Sequence, residues 1–101
     1  MTVVLVALAG ALGAVVRALV LLRWPRGAVF AVNIAGSFLL GLVAESEGRV
    51  GVVVGVGFCG ALTTFSGFAA EAQRQHWDRH YVALTLVGCV LAVAIGLEIA
   101  P

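Results

Sequence analysis

Four long apolar runs, separated by short clusters of charge, dominate this chain of 101 residues. Residues 2–22 are apolar apart from Arg17, and residues 27–44 carry no charge. The runs 50–71 and 80–98 meet a carboxylate only where they end, at Glu71 and Glu98. A helix needs about 20 apolar residues to cross the hydrocarbon core of a bilayer. Each run approaches that length, and the chain holds four of them with almost nothing over. Membrane strands would need about 10 alternating residues and a closed barrel, whereas these runs are continuous. A water-soluble globule is excluded by composition, because 62% hydrophobic residues, 11% charged residues and 13 glycines leave too little polar surface to cover a small domain. The expected fold is all-α: a four-span transmembrane helical bundle in a single membrane domain, 1–101, with both termini on one side.

Several function classes fall away with this reading. No soluble catalytic domain or nucleic-acid module fits outside the spans, and no nucleophile–base pair lies within them, so no enzyme is expected. A net charge of +1 gives no reason to expect a polyanion as partner. Cys59 and Cys89 sit in apolar stretches without metal-site spacing and read as small hydrophobes. The N-terminus lacks the basic region of a cleavable signal, so the first run is expected to be a retained span. Gly51-x-x-x-Gly55 is a small-xxx-small pattern that lets two helices approach closely. His76 and His80 would share a helical face, but Trp77 and Tyr81 beside them read as an interfacial loop.

Function in such a bundle is read from polar groups placed where lipid should be. Asn33 and Ser37 are four apart on one face of the second span. Asn33 suits an interhelical hydrogen bond, and its amide also offers two N–H groups to an anion. Arg17 lies late in the first span, where it either snorkels to the interface or attracts anions into a wet vestibule. Phe65 and Phe68, three apart, share a helical face as packing rings or as positive ring edges aimed into a pore. Phe65 lies within, and Phe68 directly after, the run Gly60-Ala61-Leu62-Thr63-Thr64-Phe65-Ser66-Gly67, whose glycines and hydroxyls weaken a helix near its middle. A helix broken at that depth is tolerated where backbone groups line a cavity or bind an ion. The third helix is therefore expected to break near the membrane centre, at an ion site.

Three segments carry a resemblance: GALGAVVRALV at 10–20, NIAGSFLLGL at 33–42 and, most specific, GFCGALTTFSGF at 57–68. The chain resembles the Fluc (CrcB-type) fluoride channels over nearly its full length. The resemblance implies an antiparallel dimer in a bacterial cell membrane that exports fluoride passively through two pathways, each lined by both subunits. It matches Phe65 and Phe68 with ring edges facing fluoride, Asn33 with a hydrogen-bond donor to the ion, and Arg17 with the vestibule. Ser66, Tyr81 and Thr85 resemble a polar track beside the rings, and Glu71 the carboxylate near its end. A structural sodium ion at the dimer interface is implied on the backbone carbonyls of Gly60 and Thr63. One departure is Gly67, where the family commonly carries threonine.

Two rivals share the architecture. A small multidrug-type four-span transporter would need a titratable carboxylate within the membrane, and Glu45, Glu71 and Glu98 all fall at span ends. A non-transporting assembly subunit would explain the glycines but not the clustering of Arg17, Asn33 and the Thr-Thr-Phe-Ser break. The loops add an orientation: Arg23, Arg26, Arg74 and Arg79 lie on one side and Arg49 alone on the other. The positive-inside rule places the first and third loops in the cytoplasm. A one-way bias of that kind implies pairing with a homologous subunit of opposite orientation rather than with itself.

Overall fold

A computed structural model describes residues 1–25 and 27–101, and every regular element in it is helical. Helix α1 spans Thr2–Arg23 and α2 spans Ala28–Val43. The third span begins as a π-helical segment, Gly51–Cys59, and passes into one turn, α3, Gly60–Leu62. It breaks at Thr63–Thr64 and resumes as α4, Phe65–Arg74. Helix α5 spans Arg79–Ile99. The four expected spans are present, and three helical stretches are long and apolar enough to cross a membrane: Thr2–Arg23, Gly51–Arg74 and Arg79–Ile99. The second helix is shorter. Its 16 residues, at about 1.5 Å each, cover about 24 Å.

The turns explain the helix ends. Gly27 adopts φ 83°, a left-handed conformation open to glycine, and the chain reverses there into α2. Arg26 lies outside the described residues, and with it one of the four arginines of the orientation argument. Arg23 closes α1 with its guanidinium 5.1 Å from the centre of the Trp24 ring. The third helix continues to Arg74, past its expected end at residue 71. Glu71 accounts for the extra turn, since its carboxylate accepts from Arg74 and from Gln75 one turn on. Beyond it His76 and Trp77 both take φ 55°, so the two histidines do not share a helix. No group of three metal-ligating side chains occurs among the described residues.

The π-helical segment was not expected. Its nine residues are three glycines, four valines, Phe58 and Cys59. Glycine costs entropy in an α-helix and β-branched valine crowds the preceding turn, so the α form has little advantage here. Wider winding is visible at its end, where the Gly60 N–H bonds to the Gly55 carbonyl five residues back. The small residues also permit close packing. A Cβ on Gly57 would stand 2.9 Å from the Ala9 methyl and 2.9 Å from the Val6 carbonyl oxygen of α1.

In the packing order, α1 lies along the first half of the third span, which also touches α2, and α2 lies along α5. The buried positions are mostly small: Ala28, Val32, Cys59, Ala72 and Ala92 join Leu62 and Phe68. Large apolar side chains such as Leu8, Leu19, Leu84 and Val90 point outward. That is the reverse of a water-soluble domain. The chain is a multi-pass membrane protein.

Candidate functional site

The break in the third span organises the site. Thr63 (φ −76°, ψ 153°) and Thr64 (φ −148°, ψ 119°) are extended, the thirteenth and fourteenth of the 24 residues from Gly51 to Arg74. Local chemistry favours leaving the helix here. The Thr63 hydroxyl donates back to the Cys59 carbonyl at 2.8 Å. Thr64 caps α4, its hydroxyl oxygen accepting from the Gly67 N–H at 2.9 Å, and shares a 3.2 Å hydrogen bond with Ser66. Gly67 matters to this cap, since a Cβ there would stand 2.7 Å from the Thr64 methyl.

Side chains from α1 and α2 hold the two ends of the break. Asn33, buried in α2, accepts from the Thr64 N–H at 2.8 Å and donates to the Thr64 carbonyl at 3.2 Å. Arg17 of α1 donates to the Ala61 carbonyl at 2.8 Å. These bonds decide which backbone oxygens are left. In an unbroken helix the Thr64 N–H would go to Gly60 and the Gly67 N–H to Thr63. Asn33 takes the first and the Thr64 hydroxyl takes the second. The carbonyls of Gly60 and Thr63 thereby lose their helical donors.

A groove of about 260 Å³ opens beside the break. Asn33, Ser37, Gly60, Thr63, Phe65, Phe68 and Thr85 all line it. Asn33 retains one amide N–H beyond the bond to Thr64. Thr85 is 3% exposed, and the buried Tyr81 hydroxyl one turn earlier interacts with its hydroxyl; neither makes a hydrogen bond of ordinary geometry among the described residues. Buried polar groups are normally satisfied, so the Thr85 hydroxyl, on the groove wall without a hydrogen bond of ordinary geometry, points to a guest that accepts hydrogen bonds.

The rings form a series. Phe65 and Phe68 lie 5.9 Å apart at 50°, and Phe68 stacks on Tyr81 at 5.7 Å and 21°. They touch, as their spacing requires, but their surroundings differ. Phe68 is buried, whereas Phe65 is 79% exposed on the outer surface.

The break and groove thus gather Asn33, Phe65, Phe68, Thr85, Gly60 and Thr63, with Tyr81 stacked on Phe68 and the exposed Ser66 hydroxyl bonded into the cap. Arg17 reaches the break from the α1 side. Glu71 stands apart, in a second recess with Gly27, Arg74 and Gln75, which brings the first and third loops to one end of the bundle. Spacing alone did not reveal that Arg17 and Asn33 bind the backbone of the break. Nor did it reveal that Cys59 and Cys89, both free thiols, line the groove. The burial expected of both holds for Cys59, whereas Cys89 is half-buried, and the face each one presents was not legible.

Comparison with known proteins agrees with this geometry. The sequence pattern described as "CrcB-like protein, Camphor Resistance (CrcB)" matches residues 4–97. A Rhodococcus jostii protein named fluoride-specific ion channel FluC 1 is 43% identical, the match covering 94% of this chain and 82% of that protein. A Natronomonas pharaonis protein named fluoride-specific ion channel FluC 2 is 41% identical, over 98% of this chain and 94% of its own. The Shewanella woodyi protein named fluoride-specific ion channel FluC is 36% identical over 96% and 94%. No solved structure matches the chain. With nearly its whole length matched, the break and its polar neighbours included, the chain belongs to the CrcB-like family.

Proposed function

We propose that this chain is the subunit of a fluoride-selective channel that lets the ion leave the cell passively. The observation that carries the reading is the buried Thr85 hydroxyl, without a hydrogen bond of ordinary geometry, on the wall of a groove also lined by Asn33 and Phe68. Fluoride is small and strongly hydrated, so a pore must replace its water with donors. The Thr85 and Tyr81 hydroxyls, the spare Asn33 N–H and the exposed Ser66 hydroxyl supply them, and the edges of Phe65 and Phe68 add positive charge density. The N-terminal end of α4 faces the break, and its dipole favours an anion there. Glu71, paired with Arg74, would flank the far end of the track.

A second subunit completes the account. The exposed Phe65 and the open side of the groove fit a neighbouring copy of the fold inserted upside down, so that each pathway is walled by both subunits. The axis of such an antiparallel dimer lies in the membrane plane, and a site on it sits at mid-depth, where the break falls. The carbonyls of Gly60 and Thr63, freed of their helical donors, are hard oxygen ligands suited to a sodium ion on that axis. Bound there, sodium would supply fixed positive charge at the dimer centre without blocking pathways that run off the axis. The bias of arginines toward the first and third loops favours a homologous partner of opposite orientation, in a bacterial plasma membrane.

Reconstituted liposomes loaded with fluoride test the function. Electrogenic fluoride release without a proton gradient, with chloride retained, is the expected result. Equal chloride release, or release that requires proton coupling, would return the chain to the transporter or assembly-subunit readings.

A further inference from the structure

We infer that Arg17 is a positioning residue: by holding the Ala61 carbonyl, its guanidinium fixes which backbone oxygens of the break remain free for an ion. The inference deepens the channel reading and rests on it for the meaning of the break. Three observations carry it. First, the half-buried Arg17 donates at 2.8 Å to a carbonyl 44 residues away, directly before the break. Second, Ala61 is the residue whose carbonyl would bond to the Phe65 N–H in an unbroken helix, so extending Thr63 and Thr64 orphans it. Third, the nearby carbonyls of Gly60 and Thr63 receive no such side chain among the described residues, their helical donors having been drawn off by Asn33 and by the Thr64 hydroxyl.

Arginine is costly in an apolar helix unless its charge is met. Here it meets the negative pole at the C-terminal end of α3, where unbonded carbonyls gather. Without it the Ala61 peptide would tilt in search of a donor, and Gly60, on the adjacent peptide, would turn with it. Arg17 therefore acts through the backbone. An anion-attracting charge would act differently, by raising local fluoride concentration, and more fluoride would compensate for its loss.

Two measurements on the full-length, reconstituted chain separate these roles. Hydrogen exchange is followed over residues 60–68, and fluoride flux is recorded across a wide fluoride range. Arg17→Met, which keeps length without a donor, should raise exchange at the break about tenfold or more, the loss expected from one charge-assisted hydrogen bond. It should also lower maximal flux without moving the half-saturating fluoride concentration. Arg17→Lys, which keeps a charged donor, should retain the wild-type exchange. Unchanged exchange in Arg17→Met, or a flux deficit that disappears at high fluoride, would overturn the inference. If Arg17→Met fails to assemble, Arg17→Gln is judged by the same two criteria. Absence of fluoride flux in the unmodified chain would refute the channel reading, while exchange would still decide the role of Arg17.

Discussion

Phe68 and Thr85 illustrate how a side chain in this bundle takes its meaning from what surrounds it. Phe68 is buried against Tyr81, so replacing it with isoleucine keeps apolar bulk and removes both the stack and the ring edge. Phe68→Ile should lower fluoride flux about tenfold, the equivalent of one aromatic interaction at the upper end of its range. Flux at the wild-type level with normal assembly would make the ring a packing residue only. Thr85→Val separates stability from conduction more cleanly. The hydroxyl it removes is buried and makes no hydrogen bond of ordinary geometry, with only the Tyr81 hydroxyl interacting with it, so the variant should match or exceed the unmodified chain in thermal stability, by about 1 kcal/mol at most. Its fluoride flux should nevertheless fall. A loss of stability would mean that the hydroxyl is satisfied within the fold. The residue types that matter were readable from the sequence because polar groups are conspicuous in apolar runs. Their partners were not, since Arg17 to Ala61 and Asn33 to Thr64 join elements far apart in the chain.

The third span shows what sequence encodes well and poorly about an element. Its break was legible: adjacent threonines, two glycines and a serine at mid-run offer the backbone local alternatives to the helix. The π-helical winding before it was not, because glycine and valine at Gly51–Gly57 read equally as a packing surface, and no periodicity distinguishes the two. The continuation to Arg74 was hidden by polarity, which suggested a loop where Glu71 in fact stabilises another turn. Two predictions belong to the break. Asn33→Ala strips the Thr64 N–H of its partner and leaves the Thr64 carbonyl only the 3.3 Å bond from the Phe68 N–H, and should destabilise the folded chain by about 1–3 kcal/mol in thermal or denaturant unfolding. Gly67→Ala forces a Cβ against the Thr64 methyl and should disrupt the cap, despite alanine's better helix propensity by about 1 kcal/mol. A more stable Gly67→Ala protein would show that Thr64 turns aside freely and that its cap contributes little.

At the scale of the molecule, four apolar runs between charge clusters mark the four helices in their order, three of them long and apolar enough to cross a membrane. The surface those spans present to a second subunit was not legible, because lipid and protein partners call for similar side chains. In the proposed dimer, the edge where Phe65 and the open groove meet would face that subunit. Orientation is testable at this scale. Arg23, Arg74 and Arg79 lie at helix ends on the side opposite Arg49, so a reporter fused to the C-terminus should be active on the outer side alone. Equal signals from reporters specific for each side would indicate dual insertion and a self-sufficient homodimer. The central claim, passive fluoride selectivity, is tested most directly by the reversal potential across a bilayer containing the assembled channel. With fluoride and chloride gradients opposed and pH equal on both sides, the potential should follow the fluoride gradient alone and stay fixed when a pH difference is imposed. A potential that follows chloride, or that shifts with pH, would contradict the account.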